Sequence, residues 1–186
     1  MRLLAISGSL RADSHNSRLL RIAAEEAPVG VDIEIYKGLG DIPPYDADLD
    51  TEPAPVPVRE LRELIAKADG LIFATPEYNS SIPGVLKNAI DWASRPRATT
   101  PLAGKPAAVI GATTGQFGAV WAQAELRKVL GSTGSRVVEA EFGLALADDA
   151  FDEEGLRDGT AREALLEVIA AVAAEAAHDR ALALAA

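Results

Sequence analysis

Two polar stretches of this chain hold the residue types needed to grip a charged, ring-bearing ligand. The first is Ser7-Gly8-Ser9-Leu10-Arg11-Ala12-Asp13-Ser14-His15-Asn16-Ser17, which stands between an apolar run and a helical pattern. A helix start leaves its first N–H groups unpaired and carries the positive end of the dipole. Ser9, Arg11, Ser14, Asn16 and Ser17 therefore converge on an anion site suited to a phosphate monoester. The stretch lacks the Gly-Lys-Ser/Thr of a Walker loop and, with one glycine, lacks the dinucleotide fingerprint. Asn16 or Ser17 could serve as a plain helix cap and Arg11 as a solvated charge, yet a cap needs no arginine beside it. His15 reads as a solvated loop residue rather than an acid or base, and His178 carries no functional signal.

The second stretch, Thr75-Pro76-Glu77-Tyr78-Asn79-Ser80-Ser81-Ile82-Pro83-Gly84, joins the apolar run Gly70-Leu71-Ile72-Phe73-Ala74 to a helix. Pro76 forces Thr75 into extended backbone and ends the strand there. Pro83 suits a first helical turn, and Val85, Leu86, Ala89, Ile90 and Ala93 recur at helical spacing. Residues 77–81 thus lie beyond the carboxyl end of a central strand, where open α/β sheets bind ligands. A third loop, Thr113-Thr114-Gly115-Gln116-Phe117-Gly118, follows the next strand, and its glycines allow backbone to approach a ligand closely.

The elements that must position these loops alternate along the chain. Strands are expected over residues 2–7, 31–36, 70–75, 106–112 and 135–142, and helices over 17–26, 58–68, from 84, over 118–130 and over 160–178. Thr160 and Glu163 fit a capping box for the last helix. Five strands alternating with five helices, joined by right-handed crossovers, give an α/β, three-layer, doubly wound fold with a five-stranded parallel sheet. The 186 residues suit one domain, 1–186. Two long irregular segments, 38–57 and 147–159, are expected to be functional or mobile.

Composition narrows the function classes. The absence of cysteine excludes disulfides and thiolate chemistry, and no residue cluster calls for a metal. The net charge of −10 argues against nucleic acid as a partner. With no apolar run of membrane length and no signal-peptide pattern, the expectation is a cytoplasmic protein that engages no membrane.

Taken together, Gly8-Ser9-Leu10-Arg11 with Ser14 and Asn16, the run 76–84 and Leu86-Lys87-Asn88-Ala89-Ile90-Asp91-Trp92 resemble the NAD(P)H-dependent FMN reductases, a family that includes quinone, chromate and azo-compound reductases. The resemblance covers about residues 2–143 and implies a flavodoxin-like fold with strand order 2-1-3-4-5, bound FMN, NADPH or NADH as reductant, a small-molecule electron acceptor and a homodimer or tetramer. It puts the FMN phosphate on Ser9, Arg11, Ser14 and Asn16 and the isoalloxazine against Pro76, Glu77, Tyr78 and Asn79, with Thr114, Gly115 and Gln116 from the third loop. No side-chain acid or base is required, because the cofactor carries the hydride chemistry. A carboxylate facing the flavin would oppose a reduced, anionic ring, so Glu77 is expected to turn its side chain toward a partner subunit or an arginine. Tyr78 is expected at the ring edge or the wall of the site, and Tyr45 could wall the flavin from across an interface. Trp92 and Trp121 read first as core. The helix carrying Val120, Trp121, Ala124, Leu126, Val129 and Leu130 is apolar on more than one face, which the resemblance makes a dimer interface with Lys87, Asn88 and Asp91 at its edge. A flavodoxin-type electron carrier and a flavin-free regulatory module are the competing readings.

Overall fold

Odd and even residues of the central strands feed two separate cores, and this fixes the layers. The computed structural model describes residues 1–153 and 155–185. Strands β1 (Arg2–Ser7), β2 (Asp32–Tyr36), β3 (Gly70–Thr75) and β4 (Pro106–Ala112) pair in parallel with a short β5 (Arg136–Val137), in the order β2-β1-β3-β4-β5. On one face Leu4, Ile6, Leu71, Phe73 and Val109 pack against helices α2 (Val56–Lys67), α3 (Gly84–Ala93) and α4 (Val120–Ser132). On the other, Leu3, Ala5, Ile72, Ala74 and Ile110 pack against α1 (His15–Glu25) and α5 (Gly159–Ala185). Strands covered on both sides read as continuous apolar runs, as β3 and β4 do. Each fully buried Leu or Ile contributes about 1.5–3 kcal/mol of transfer free energy.

The three-layer doubly wound fold and the 2-1-3-4-5 order are as expected, and the departures have local causes. The fifth strand is not continuous over 135–142. It splits into β5 and β6 (Phe142–Leu144), both parallel to β4. Between them Val138 N–H still donates to Ala107 O of β4 at 2.9 Å, and Arg127 donates to the carbonyls of Val138 and Ala140 at 2.7 Å each. Helix α1 opens at His15 rather than at 17, because Ser14 is its cap. Helix α5 is not started by the expected Thr160–Glu163 box; Asp158 Oδ1 accepts from Thr160 N–H at 2.9 Å, and the helix runs on to Ala185 rather than ending near 178.

Both irregular segments are docked. Residues 43–45 sit on α3: Trp92 Nε1 and Asn88 Nδ2 donate to Pro43 O at 2.8 and 2.9 Å, and Asn88 Oδ1 accepts from Tyr45 N–H at 2.7 Å. Tyr45 meets the Trp92 ring edge-on at 4.9 Å, so within this subunit it is committed to α3 rather than to the ligand loops. The later segment forms a hairpin of β7 (Phe151–Asp152) and β8 (Gly155–Leu156), with Phe151 packed over α1. No helix among the described residues is long and apolar enough to cross a membrane.

Candidate functional site

Register sets the site. Ser7 lies beside Ala74, and Thr75 beside Gly111, so β1, β3 and β4 end together and release their loops side by side. Gly8 closes the first gap. Its N–H donates to Ala74 O at 2.8 Å, and a Cβ at Gly8 would stand 2.9 Å from Leu86 Cδ2 and 3.2 Å from Pro76 Cδ. A side chain at residue 8 would require Leu86 and Pro76 to shift.

In the first loop a relay of hydroxyls fixes the backbone. Ser17 Oγ donates to Ser7 Oγ at 2.9 Å, Ser9 N–H donates to Ser7 Oγ at 3.3 Å, and Arg11 N–H donates to Ser9 Oγ at 3.3 Å. Ser14 caps α1, its Oγ accepting from Ser17 N–H at 3.3 Å. Ser17 is thereby engaged within the turn. Arg11 is exposed, and Nη2 donates to Asp13 O at 3.0 Å. Asn16 is buried and ties the start of α1 to the end of β4: its Oδ1 accepts from Ala112 N–H and its Nδ2 donates to Ala112 O, both at 2.9 Å. One Nδ2 proton remains beyond that pair.

The second loop is a two-residue hairpin. Tyr78 and Ser81 exchange backbone hydrogen bonds at 3.0 and 3.1 Å, with Asn79 and Ser80 both at positive φ, 52° and 60°, as a type I′ turn requires. The Tyr78 N–H is consumed by the turn, which leaves the amides of Glu77, Asn79 and Ser80 as the loop's candidate donors. Glu77 does turn its carboxylate away from the crevice, and within this subunit it meets backbone N–H groups rather than an arginine. Its Oε2 accepts from Trp121 N–H and Ala122 N–H, both at 3.0 Å, at the start of α4. Ala119, at the capping position, has no side-chain acceptor to offer, so the carboxylate of a neighbouring loop caps this helix.

The third loop is pinned along its outer side. Thr113 N–H donates to Leu144 O, Ala147 N–H to Thr113 O and Leu146 N–H to Gly115 O, at 2.9–3.0 Å. Gly118, at φ 57°, lies so near residue 143 that a Cβ would come within 2.7 Å of the Gly143 carbonyl carbon.

These loops enclose a crevice of about 160 Å³. Of the expected site residues, Ser9, Arg11, Ser14, Asn16, Pro76, Glu77, Tyr78 and Thr114 line it, while Asn79, Gly115 and Gln116 are exposed and do not. Ala112, Thr113 and His15 join the lining. The first two follow from lying at the end of a central strand. His15 carried no such signal, because its neighbours Asp148 and Phe151 lie far along the chain. A larger groove of about 770 Å³ runs along the outer edge of β2 against α2, lined by residues such as Ile33, Tyr36, Glu60 and Leu64. It lacks the loop donors that converge here, and the smaller crevice is the better binding site. Beside the crevice mouth Tyr78, Phe117 and Trp121 are all about half exposed or more, and Phe117 meets Trp121 edge-on at 5.1 Å. Trp92 is the fully buried core residue expected; Trp121 is not.

Hydroxyl, guanidinium and helix-start donors at one end, a proline-and-alanine wall beside them and no free carboxylate from Glu77 make a donor set that fits a phosphate monoester joined to a flat ring. Residues 1–149 match the NADPH-dependent FMN reductase family. The chain belongs to this family. An NAD(P)H-dependent FMN reductase of Pseudomonas aeruginosa is 44% identical over 174 residues, 92% of this chain and 93% of that protein. A quinone reductase of Escherichia coli is 41% identical over 131 residues, 70% of this chain and 69% of its own length. Among solved structures, the flavoenzyme NAD(P)H:(acceptor) oxidoreductase FerB from Paracoccus denitrificans superposes with a TM-score of 0.86 at 33% identity, covering 95% of this chain and 97% of that one. As an FMN reductase family member the chain is an oxidoreductase that uses FMN as cofactor and NAD(P)H as reductant.

Proposed function

We propose that this protein reduces small acceptors, quinones and free flavins foremost, with electrons taken from NAD(P)H through FMN held in the crevice of the three loops. The observation that carries the reading is the convergence of Ser9, Arg11 and Ser14 with the Pro76–Tyr78 wall at the carboxyl ends of three adjacent strands. Bound FMN supplies a ring that takes a hydride from nicotinamide and gives two electrons to the acceptor. The chain's own task is to hold and orient it. Ser9, Arg11, Ser14 and the spare Asn16 proton hold the phosphate over the start of α1. Pro76, Glu77, Tyr78 and Asn79 hold the ring, through backbone more than side chain, and Thr114, Gly115 and Gln116 close the remaining side. With its carboxylate capping α4, Glu77 is held back from a ring that gains negative charge on reduction.

The exposed Phe117–Trp121 pair beside Tyr78 supports a homodimer formed over α4, which would cover the crevice mouth. The reading is of one FMN-binding domain over residues 1–186, working in the cytoplasm. Kinship with reductases favours it over the electron-carrier alternative. The test is steady-state NAD(P)H oxidation by FMN-loaded protein with a benzoquinone. Turnover with one quinol formed per nicotinamide supports the reading; an FMN-loaded protein inert toward both nicotinamides contradicts it.

A further inference from the structure

The hairpin after β3 carries a strain that its own sequence does not relieve. Asn79 and Ser80 both stand in the left-handed region, at φ 52° and 60°. Asparagine tolerates that conformation, but serine does not gain from it, and the usual occupant of the second position is glycine. A residue held there persists only where its surroundings over-determine it. The surroundings here belong to α4. Glu77, just before the hairpin, caps the first turn of that helix through Trp121 and Ala122 N–H. Ser81, the last residue of the hairpin, donates its hydroxyl to Glu125 Oε2 one turn further along. Glu125 has no cationic partner among the described residues, so its carboxylate is committed to this serine.

We propose that Glu125 is a positioning residue for the flavin ring: through Ser81 it holds the strained hairpin, and with it the Pro76–Tyr78 wall, in the shape that receives the ring. The inference rests on the reading of this crevice as the FMN site. Glu125 does not line the crevice, so it acts on a ligand only through the loop. A hydroxyl bonds more strongly to an ionised carboxylate than to a neutral acceptor. A loop fixed before the ligand arrives loses no freedom when it binds. Without the tether Ser80 leaves its left-handed conformation more readily, the backbone pair between Tyr78 and Ser81 loosens, and Glu77 and Tyr78 lose their places in the wall. None of the hydrogen bonds that fix the first loop runs through Ser81 or Glu125, so the loss falls on the ring and not on the phosphate.

The experiment is equilibrium titration of the full chain with FMN and with riboflavin, which shares the ring and lacks the phosphate. Ser81→Ala and Glu125→Ala should each raise the Kd of both flavins by the same factor, about two- to tenfold, the size of a partly solvated hydrogen bond to a charged group. The double variant should bind no more weakly than either single one, because both remove one contact. Glu125→Gln, which keeps an acceptor oxygen, should recover most of the affinity. Ser80→Gly added to Ser81→Ala should recover it too, since glycine holds a positive φ without the tether. The visible circular dichroism of bound FMN, which reports how the ring is held, should change in Ser81→Ala and return in the Ser80→Gly combination; this reading also serves if riboflavin binds too weakly to titrate. Variants that bind FMN as the wild type does with an unchanged spectrum, or that lose thermal stability alone, or that weaken FMN while riboflavin stays level, overturn the inference. A wild-type chain that binds neither flavin overturns the cofactor site itself.

Discussion

The carboxylate of Glu77 and the backbone N–H of Trp121 meet at 3.0 Å, joining the loop after β3 to the first turn of α4. One side chain thus satisfies orphan donors of a helix that has no cap of its own, and commits its negative charge to the start of that helix. Glu77→Ala should destabilise the fold by about 1 kcal/mol, the usual worth of an N-cap. Glu77→Gln, which keeps an acceptor oxygen, should lose less. Thermal unfolding followed by circular dichroism checks both; two variants as stable as wild type would mean that the contact contributes nothing.

Asn16 closes a buried two-bond pair on Ala112. Asn16→Ala strands a buried N–H and C=O, and an unmatched buried group costs about 1–3 kcal/mol. Urea unfolding should show a loss in that range or somewhat above it. Asn16→Asp keeps the acceptor but sets a negative charge against Ala112 O and the phosphate, so its FMN affinity should fall further than its stability.

Burial, helped by Glu60 and Asp41, pushes the Tyr36 phenol up to about 12. Between pH 10 and that value the unfolded chain has released a proton that the folded chain keeps, so stability falls as pH rises through this window. The contribution is whole below pH 10 and gone above 12. Tyr36→Phe should flatten this part of the profile, read from urea midpoints at pH 9 and 11. An identical fall in both proteins would remove the assignment.

The Phe117–Trp121 pair offers apolar surface beside the crevice. If α4 forms the dimer contact, Trp121→Glu should shift the chain to monomers in sedimentation velocity and weaken FMN retention. Its backbone N–H, and hence the Glu77 cap, is untouched. A variant that sediments as the wild type does would place any interface elsewhere.

Much of this architecture was legible because its signals are local. Unbroken apolar runs such as 70–75 and 106–112 mark strands covered on both faces, and Pro76 and Pro83 punctuate the loop between strand and helix. Donors at the start of α1 could be read for the same reason. What could not be read depends on partners distant in sequence. The break in the fifth strand is bridged by Arg127, the Asn16–Ala112 pair joins α1 to the end of β4, and the destination of Glu77 depends on α4 lying beside the β3 loop. The ring of His15 meets Asp148 and Phe151, more than a hundred residues away.

Arg11 decides the central claim, that the three-loop crevice holds FMN with its phosphate over the start of α1. The measurement is an equilibrium titration of FMN, followed by quenching of flavin fluorescence, into wild type and Arg11→Ala. Wild type should bind one FMN per chain, and the variant should bind more weakly by about 1.5–3 kcal/mol, the worth of a charged hydrogen bond. Equal affinity in the two proteins would contradict the site.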